Sequence, residues 1–137
     1  MEQPGGDIGI GEATRIVAAA EEAFAARDLK RALTLFNDDV IVRFADFPEI
    51  RGIGALEEFL RRRFTRQRGY ALRKTFRAVT GNVVADEWTG TWTDDSTGKR
   101  MHGRGMEFLT MRGGRVAIWD AVFNVWEEGS APSVPIT

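Results

Sequence analysis

One acidic residue interrupts an otherwise small and apolar face of a strand predicted over residues 99–111. Side chains alternate between the two faces of a strand, which assigns Glu107 to one face. Its companions there are Met101, Gly103, Gly105, Leu109 and Met111. An apolar face disfavours the charged carboxylate, so we expect a raised pKa for Glu107, as a general acid or tuned base requires. The other interpretation is a structural Glu bonded to a core partner such as Arg or Trp.

The two glycines on this face predict open space above the sheet, where a ligand could approach the backbone closely. Glu107 would then be the principal polar group of that space.

A second acid, Asp120, lies between Ile118 and Val122 in a strand predicted over residues 115–126. The opposite face of that strand is uniformly apolar: Ala117, Trp119, Ala121, Phe123 and Val125. A strand that is apolar on both faces is buried on both, so one face is expected to line a cavity and the other to contact a second layer or a partner subunit. Asp120 is a candidate catalytic acid, although a core or interface role with a hydrogen-bond partner explains it better.

Aromatic residues are placed where they could form a pocket wall, although a plain core would use them almost as well. The strand predicted over residues 82–93 puts Trp88, Gly90 and Trp92 on one face. Large aromatic walls are typical of pockets for hydrophobic ligands. The residues predicted to contact such a ligand are Phe44, Trp88, Trp92, Leu109, Trp119 and Phe123.

Composition excludes several classes of chemistry. The 137 residues include no cysteine, which rules out disulfides, thiolate catalysis and cysteine-ligated zinc. His102 is the single histidine, so we expect no metal site and no cofactor. The net charge of -1 gives no general attraction to nucleic acid or membranes, and the basic run 61–63 is typical of a solvated helix face. With no signal peptide or membrane-spanning run, the cytoplasm is the expected location.

The elements that must position these residues are three helices followed mainly by strands. Helices are predicted over residues 11–27, after the N-cap Asp28, and after Gly54. Strands are predicted over residues 40–46, 70–79, 82–93, 99–111 and 115–126. The last four are separated by short turn signals, which indicate antiparallel hairpins. The pattern predicts an α+β domain over residues 10–127, with a curved sheet around the helices enclosing a pocket, a flexible segment 1–9 and a tail 128–137.

Several short segments in this order resemble the nuclear transport factor 2-like superfamily, and most closely its SnoaL-like branch. They are residues 23–29, 36–40, 80–88, 105–109 and 116–120, within a resemblance spanning roughly residues 12–127. The resemblance implies a cone-shaped domain with an antiparallel or mixed sheet, and many members look like dimers joined through the convex sheet face. Members include isomerases, dehydratases, cyclases, epoxide hydrolases and non-enzymatic binding domains.

The resemblance extends unevenly to catalytic positions. Phe44 stands where ketosteroid isomerase has its base Asp, whereas Glu107 falls at that enzyme's second oxyanion-hole acid. Where limonene epoxide hydrolase has an Asp-Arg-Asp set, this sequence has Trp88, Gly90 and Ala121. Asp120 is near the late-strand Asp of SnoaL-type cyclases. The resulting hypothesis is a homodimeric pocket protein for a small hydrophobic molecule, with cofactor-free acid/base catalysis. The alternative is a non-catalytic ligand-binding or protein-interaction domain.

Overall fold

The computed structural model describes residues 6–137, so residues 1–5 of the segment predicted as flexible lie outside the described residues. The helices are α1 (Ile10–Ala25), α2 (Leu29–Leu33) and α3 (Ile53–Arg66). The strands are β1 (Phe36–Phe44), β2 (Ile50–Arg51), β3 (Gln67–Thr80), β4 (Val83–Asp94), β5 (Arg100–Arg112) and β6 (Arg115–Glu127).

The helices are amphipathic, and their apolar stripes face the sheet. Buried residues recur at helical spacing in α1 (Ala13, Val17, Ala20, Ala23 and Phe24) and in α3 (Leu56, Leu60 and Phe64). Asp28 caps α2, where its side chain accepts a hydrogen bond from the backbone N–H of Arg31 at 3.1 Å. The predicted helices are therefore present, and burial of their stripes supplies most of their stability.

All strands form one six-stranded mixed sheet in the order β2-β1-β6-β5-β4-β3. The hairpins β3–β4, β4–β5 and β5–β6 are antiparallel, as the short turns predicted, whereas β1 pairs with β6 in parallel. The sheet curls around α1 and α3 without closing into a barrel. The predicted α+β class with a curved, mixed sheet on three helices is confirmed.

Strand β1 begins earlier than predicted. The prediction began this strand at residue 40, but Phe36 and residues 37–39 also belong to β1. Phe36 pairs with Val116, and the register then shifts before Ile41 resumes regular pairing. This irregularity accommodates the Asn-Asp-Asp sequence, which is unfavourable in a regular ladder. The short strand β2 was not predicted.

The inner face of the sheet packs on the helices, and the outer face is partly apolar and exposed. Residues 128–137 form no helix or strand, and the Asn124 side-chain amide donates to the carbonyl of Pro132 at 2.9 Å. Within residues 6–137, no helix is both long and apolar enough to cross a membrane.

Candidate functional site

Four polar side chains from four adjacent strands meet at the centre of the inner sheet face. Asp86 of β4 lies directly opposite Glu107 of β5 in the antiparallel ladder. Lys74 of β3 forms an ion pair with Glu107 Oε2, and its Nζ is 4.0 Å from Asp86 Oδ1. From the other side, Trp119 Nε1 of β6 donates a hydrogen bond to Glu107 Oε1 at 2.8 Å. We call Lys74, Asp86, Glu107 and Trp119 the buried polar cluster.

The buried polar cluster is almost completely removed from solvent. The side chains of Lys74, Asp86 and Glu107 are 6%, 0% and 3% exposed. Neither carboxylate oxygen of Asp86 has a hydrogen-bond partner among the residues that the structure describes. An ionised carboxylate without hydrogen bonds is costly in such an environment, so Asp86 is stable there in its protonated form.

Burial and neighbouring charges push the two acids in opposite directions. Burial raises the pKa of Asp86 to about 9, opposed by the ammonium of Lys74 and reinforced by the charge of Glu107. Burial also acts to raise the pKa of Glu107, but the charge of Lys74 and the hydrogen bonds to Glu107 outweigh it and hold that pKa below its usual value. The expectation of a raised pKa at Glu107 is therefore wrong, because the sequence pattern did not reveal its cationic neighbour.

Lys74 remains protonated despite its burial. Burial alone would lower its pKa, but the charges of Glu107 and Asp86 and the hydrogen bond to Glu107 raise it above the usual value. With Asp86 neutral, the charges of Lys74 and Glu107 balance. The buried polar cluster can thus offer an ammonium donor, a carboxylate acceptor and a carboxyl that holds a proton.

An inner cavity lies beside this cluster and has a volume of about 560 Å³. Lys74, Glu107 and Trp119 contribute to its buried end. Exposed Phe47 and Arg62 are also part of its lining, so it reaches the surface near the end of α3. We call it the main cavity. Its volume is within the range typical of small-molecule sites, roughly 300–1,000 Å³.

A smaller cavity of about 300 Å³ lies against α1. Arg15 and Ile16 of α1 line it, as do Leu109 and Met111 of β5. The residues common to both cavities are Phe24, Lys74, Glu107 and Trp119. Glu107 thus borders both cavities, although its side chain is only 3% exposed.

The structure places five of the six residues predicted to contact a ligand on the main cavity: Phe44, Trp88, Trp92, Trp119 and Phe123. Leu109 lines the smaller cavity instead. Edge-on aromatic contacts hold the wall together, with Phe44 and Trp119 ring centroids 4.8 Å apart. The main cavity is therefore largely aromatic.

The two glycines of β5 do not leave space for a ligand as expected. A Cβ on Gly103 would meet the rings of Trp88 and Trp92 at 3.0 and 3.2 Å. A Cβ on Gly105 would overlap the carbonyl oxygen of Val122. The space above these glycines is filled by the protein itself, and the main cavity lies beyond the indole rings.

Asp120 lies away from Glu107, on the outer face of the sheet. In β6 it neighbours the inward-facing Trp119 and Ala121, and its side chain is 40% exposed. Its Oδ1 is 3.9 Å from Arg43 Nη1 of β1. Asp120 contributes to neither inner cavity, because strand alternation directs it to the opposite face from Trp119.

Sequence reasoning missed Lys74 and the importance of Asp86. The sequence did contain a signal for Lys74, because it lies on the same face of a predicted strand as Tyr70, Leu72 and Phe76. A lysine on an apolar face requires a buried partner, as Glu107 does. Among residues 6–137, no group of three or more His, Cys, Asp or Glu side chains is arranged to hold a metal ion.

Comparison with known proteins gives the chain its family. Residues 17–119 match the SnoaL-like domain. Among curated proteins, none shows significant sequence similarity to this chain.

Similar solved structures share the fold. A candidate polyketide cyclase of Xanthomonas campestris pv. campestris is 26% identical, with a TM-score of 0.70 and coverage of 83% of this chain and 91% of that chain. An LEH-like epoxide hydrolase of M. tuberculosis is 24% identical, with a TM-score of 0.70 and coverage of 83% and 84%. A nuclear transport factor 2-like protein of unknown function from Exiguobacterium sp. 255-15 is 19% identical, with a TM-score of 0.67 and coverage of 84% and 99%. With a fold shared with a nuclear transport factor 2-like protein and a family match over most of its length, this chain belongs to the SnoaL-like family.

Proposed function

We propose that this protein binds a small hydrophobic molecule in the main cavity and catalyses a cofactor-free proton transfer on it, of the isomerase, dehydratase or cyclase type. The observation that carries the proposal is the ion pair of Glu107 with Lys74 at the buried end of an aromatic cavity. The low pKa keeps Glu107 ionised and able to accept a proton, at the cost of a weaker basicity than a raised pKa would give. The ammonium of Lys74 can stabilise the negative charge that develops on the ligand.

In the proposed reaction, Glu107 acts on an acidic C–H bond next to a carbonyl group of the ligand. The C–H bond breaks, the proton moves to Glu107, and the electron pair delocalises onto the carbonyl oxygen as an enolate. The ammonium of Lys74 stabilises that oxygen. Glu107 then returns the proton to the same or another carbon. Alternatively, the enolate carbon attacks a second carbonyl carbon of the same molecule, the π bond of that carbonyl breaks, and its oxygen takes the proton from Glu107.

The position of Glu107 supports this role. Trp119 and Lys74 bind different oxygens of the carboxylate, which fixes its orientation and leaves a lone pair on each oxygen. Asp86 lines neither of these cavities, so it does not contact the ligand in this scheme. Its neutral carboxyl lies beside Lys74 and leaves the opposite charges of Lys74 and Glu107 balanced.

The similar solved structures provide support at the level of the fold. One is described as a candidate polyketide cyclase and another as an epoxide hydrolase. The same fold hosts different chemistries, so these likenesses make small-molecule catalysis reasonable without naming a substrate.

The proposal is tested by exchange of α-protons on a hydrophobic ketone. With 2-tetralone in D₂O, proton NMR should show saturable, protein-dependent exchange. Glu107→Gln should reduce it to the rate in buffer, since removal of a general base typically costs on the order of 10²–10⁴-fold. Asp120→Asn is the matched control and should retain the rate, because Asp120 lies on the other face.

Thermal unfolding of Glu107→Gln separates chemistry from folding. Asp86 can ionise beside Lys74 when Glu107 is neutralised, so we expect the variant to fold. Exchange that persists in a folded Glu107→Gln protein would refute the catalytic role of Glu107.

The second candidate function is ligand binding without catalysis. It is favoured by the fact that both oxygens of Glu107 already accept hydrogen bonds from protein groups. Saturable binding of 2-tetralone to the wild-type protein with no exchange above buffer would support this alternative.

A further inference from the structure

The rim of the main cavity is more basic than its floor. Three arginines of α3 line the main cavity: Arg62, Arg63 and Arg66. Asp94 also lines it and forms an ion pair with Arg66, with Nη2 and Oδ2 2.6 Å apart. The Lys74–Glu107 pair at the floor is balanced, so the lining carries an excess of positive charge at the rim.

The three arginines differ in how they are paired. Arg66 is held by both oxygens of Asp94, a fork-like arrangement that uses its donors well. Arg62 binds Glu58 one helical turn away at 3.2 Å, with both side chains well exposed. Arg63, by contrast, has no ion-pair partner among the residues that the structure describes.

The orientation of Arg63 is fixed by neutral groups. Its Nε donates to Gln67 Oε1 at 3.2 Å, and its Nη2 donates to the hydroxyl of Tyr70 at 3.3 Å. Gln67 and Tyr70 are both buried. These bonds use two of the five N–H donors of a guanidinium, so donors remain free on a half-buried cation beside the cavity.

Arg63 is also close to the proposed reaction centre. Its Cζ lies 5.7 Å from the centroid of the Phe24 ring, and Lys74 Nζ lies 5.9 Å from the same centroid. Phe24 lines the main cavity and is close to both cations. A ligand that packs on the Phe24 ring would therefore lie near Arg63 and near the Lys74–Glu107 pair.

We propose that the ligand of the main cavity is an aromatic carboxylate whose acid group binds Arg63. This inference rests on the proposed function, because it names the class of molecule that the same cavity takes. The aromatic walls bind the ring system, and the unpaired guanidinium binds the carboxylate through charge-assisted hydrogen bonds. A neutral ring of the same shape would leave the charge of Arg63 without a partner.

The test compares two probes of equal shape, 2-naphthoic acid and 2-naphthamide, by isothermal titration calorimetry near neutral pH. The wild-type protein should bind the acid about tenfold or more tightly than the amide, as expected for a hydrogen-bonded charge pair. Arg63→Gln should abolish that preference, and Arg63→Lys should keep part of it. Arg61→Gln should leave it unchanged, because Arg61 does not line the cavity and pairs with Glu57.

The outcomes separate the two proposals. Equal binding of both probes to the wild-type protein would overturn the carboxylate proposal and leave the hydrophobic cavity as a binding site. A preference that survives in a folded Arg63→Gln protein would overturn the assignment to Arg63. Failure of the wild-type protein to bind either probe would count against both proposals.

Discussion

Asp86 and Glu107 are directly opposite each other on neighbouring strands, yet their pKa values move apart. The difference comes from Lys74, which forms its ion pair with Glu107 and stays 4.0 Å from Asp86. One acid thus holds the negative charge and the other holds a proton. Pairs of this kind are common at catalytic sites, although structural ion-pair networks also produce them.

At the residue scale, Asp86 should make the protein less stable as pH rises. Its pKa is about 9 in the folded state and about 3.9 in an unfolded chain. Between these values the unfolded state releases a proton that the folded state retains, so higher pH favours unfolding. Asp86→Asn lacks this proton. The free energy of unfolding of Asp86→Asn, relative to that of the wild type, should therefore increase by up to about 1.4 kcal/mol per pH unit between about pH 5 and pH 8.

Urea denaturation of both proteins across this pH range provides the measurement. Parallel stability profiles for the wild type and Asp86→Asn would show that Asp86 is ionised in the folded protein. At low pH the side chain at position 86 is neutral in both proteins. Unfolding of Asp86→Asn there would contradict the proposal that Asp86 is neutral in the folded protein.

At the element scale, the close packing of β5 against its neighbours determines the shape of the main cavity. Gly103 admits the rings of Trp88 and Trp92, and Gly90 admits the ring of Tyr70. These glycines therefore allow aromatic rings to approach the backbone of the sheet closely. Alternation along the strand predicted which face the rings occupy, but the partners of each glycine depend on strand pairing.

Gly105→Ala should destabilise the protein by about 2 kcal/mol or more, because the new methyl group would overlap the carbonyl oxygen of Val122 and come within 2.7 Å of Phe123 Cβ. Gly54→Ala is the matched control. It lies in α3 with no atom within 4 Å of the added Cβ, and it should stabilise the protein by up to about 1 kcal/mol. Denaturant midpoints measure both changes. Equal stability of the two variants would mean that the backbone of β5 and β6 shifts at Gly105 to accommodate the methyl group.

At the scale of the whole molecule, the outer face of the sheet carries an exposed apolar patch. Met106, Phe108 and Val122 are 40%, 47% and 59% exposed on β5 and β6. Met106 and Val122 are paired in register, and Phe108 is opposite Asp120. Adjacent exposed apolar residues on one face of a sheet are typical of a subunit interface. We propose that the protein forms a homodimer through this patch.

Sedimentation velocity should show a dimer for the wild-type protein at concentrations on the order of micromolar. A dissociation constant at or below this concentration is usual for specific protein interfaces. Val122→Arg should produce a folded monomer, because a charge in the centre of the patch must be desolvated on association. Ile10→Arg is the control, since Ile10 is an exposed aliphatic residue of α1 on the opposite side of the sheet from this patch. A monomeric wild-type protein would refute the dimer.

The sequence by itself determined the element types and the faces of the last four strands, because periodicity is local. Alternation alone put Glu107 and Trp119 on inward faces and separated Trp119 from Asp120. Where local signals conflicted with pairing, as at residues 36–39, the prediction failed: β1 forms there only because Phe36 pairs with Val116 from the far end of the chain.

Only the tertiary structure decided which polar groups meet. Lys74, Asp86 and Glu107 come from three strands, and their contact depends on the register of β3, β4 and β5 rather than on any local pattern. The sign of each pKa shift followed from that contact, since Coulomb interactions depend on distances of a few ångströms. For the same reason, the lack of an ion-pair partner for Arg63 among residues 6–137 could not be inferred from the basic run 61–63, where each arginine was expected to be solvated.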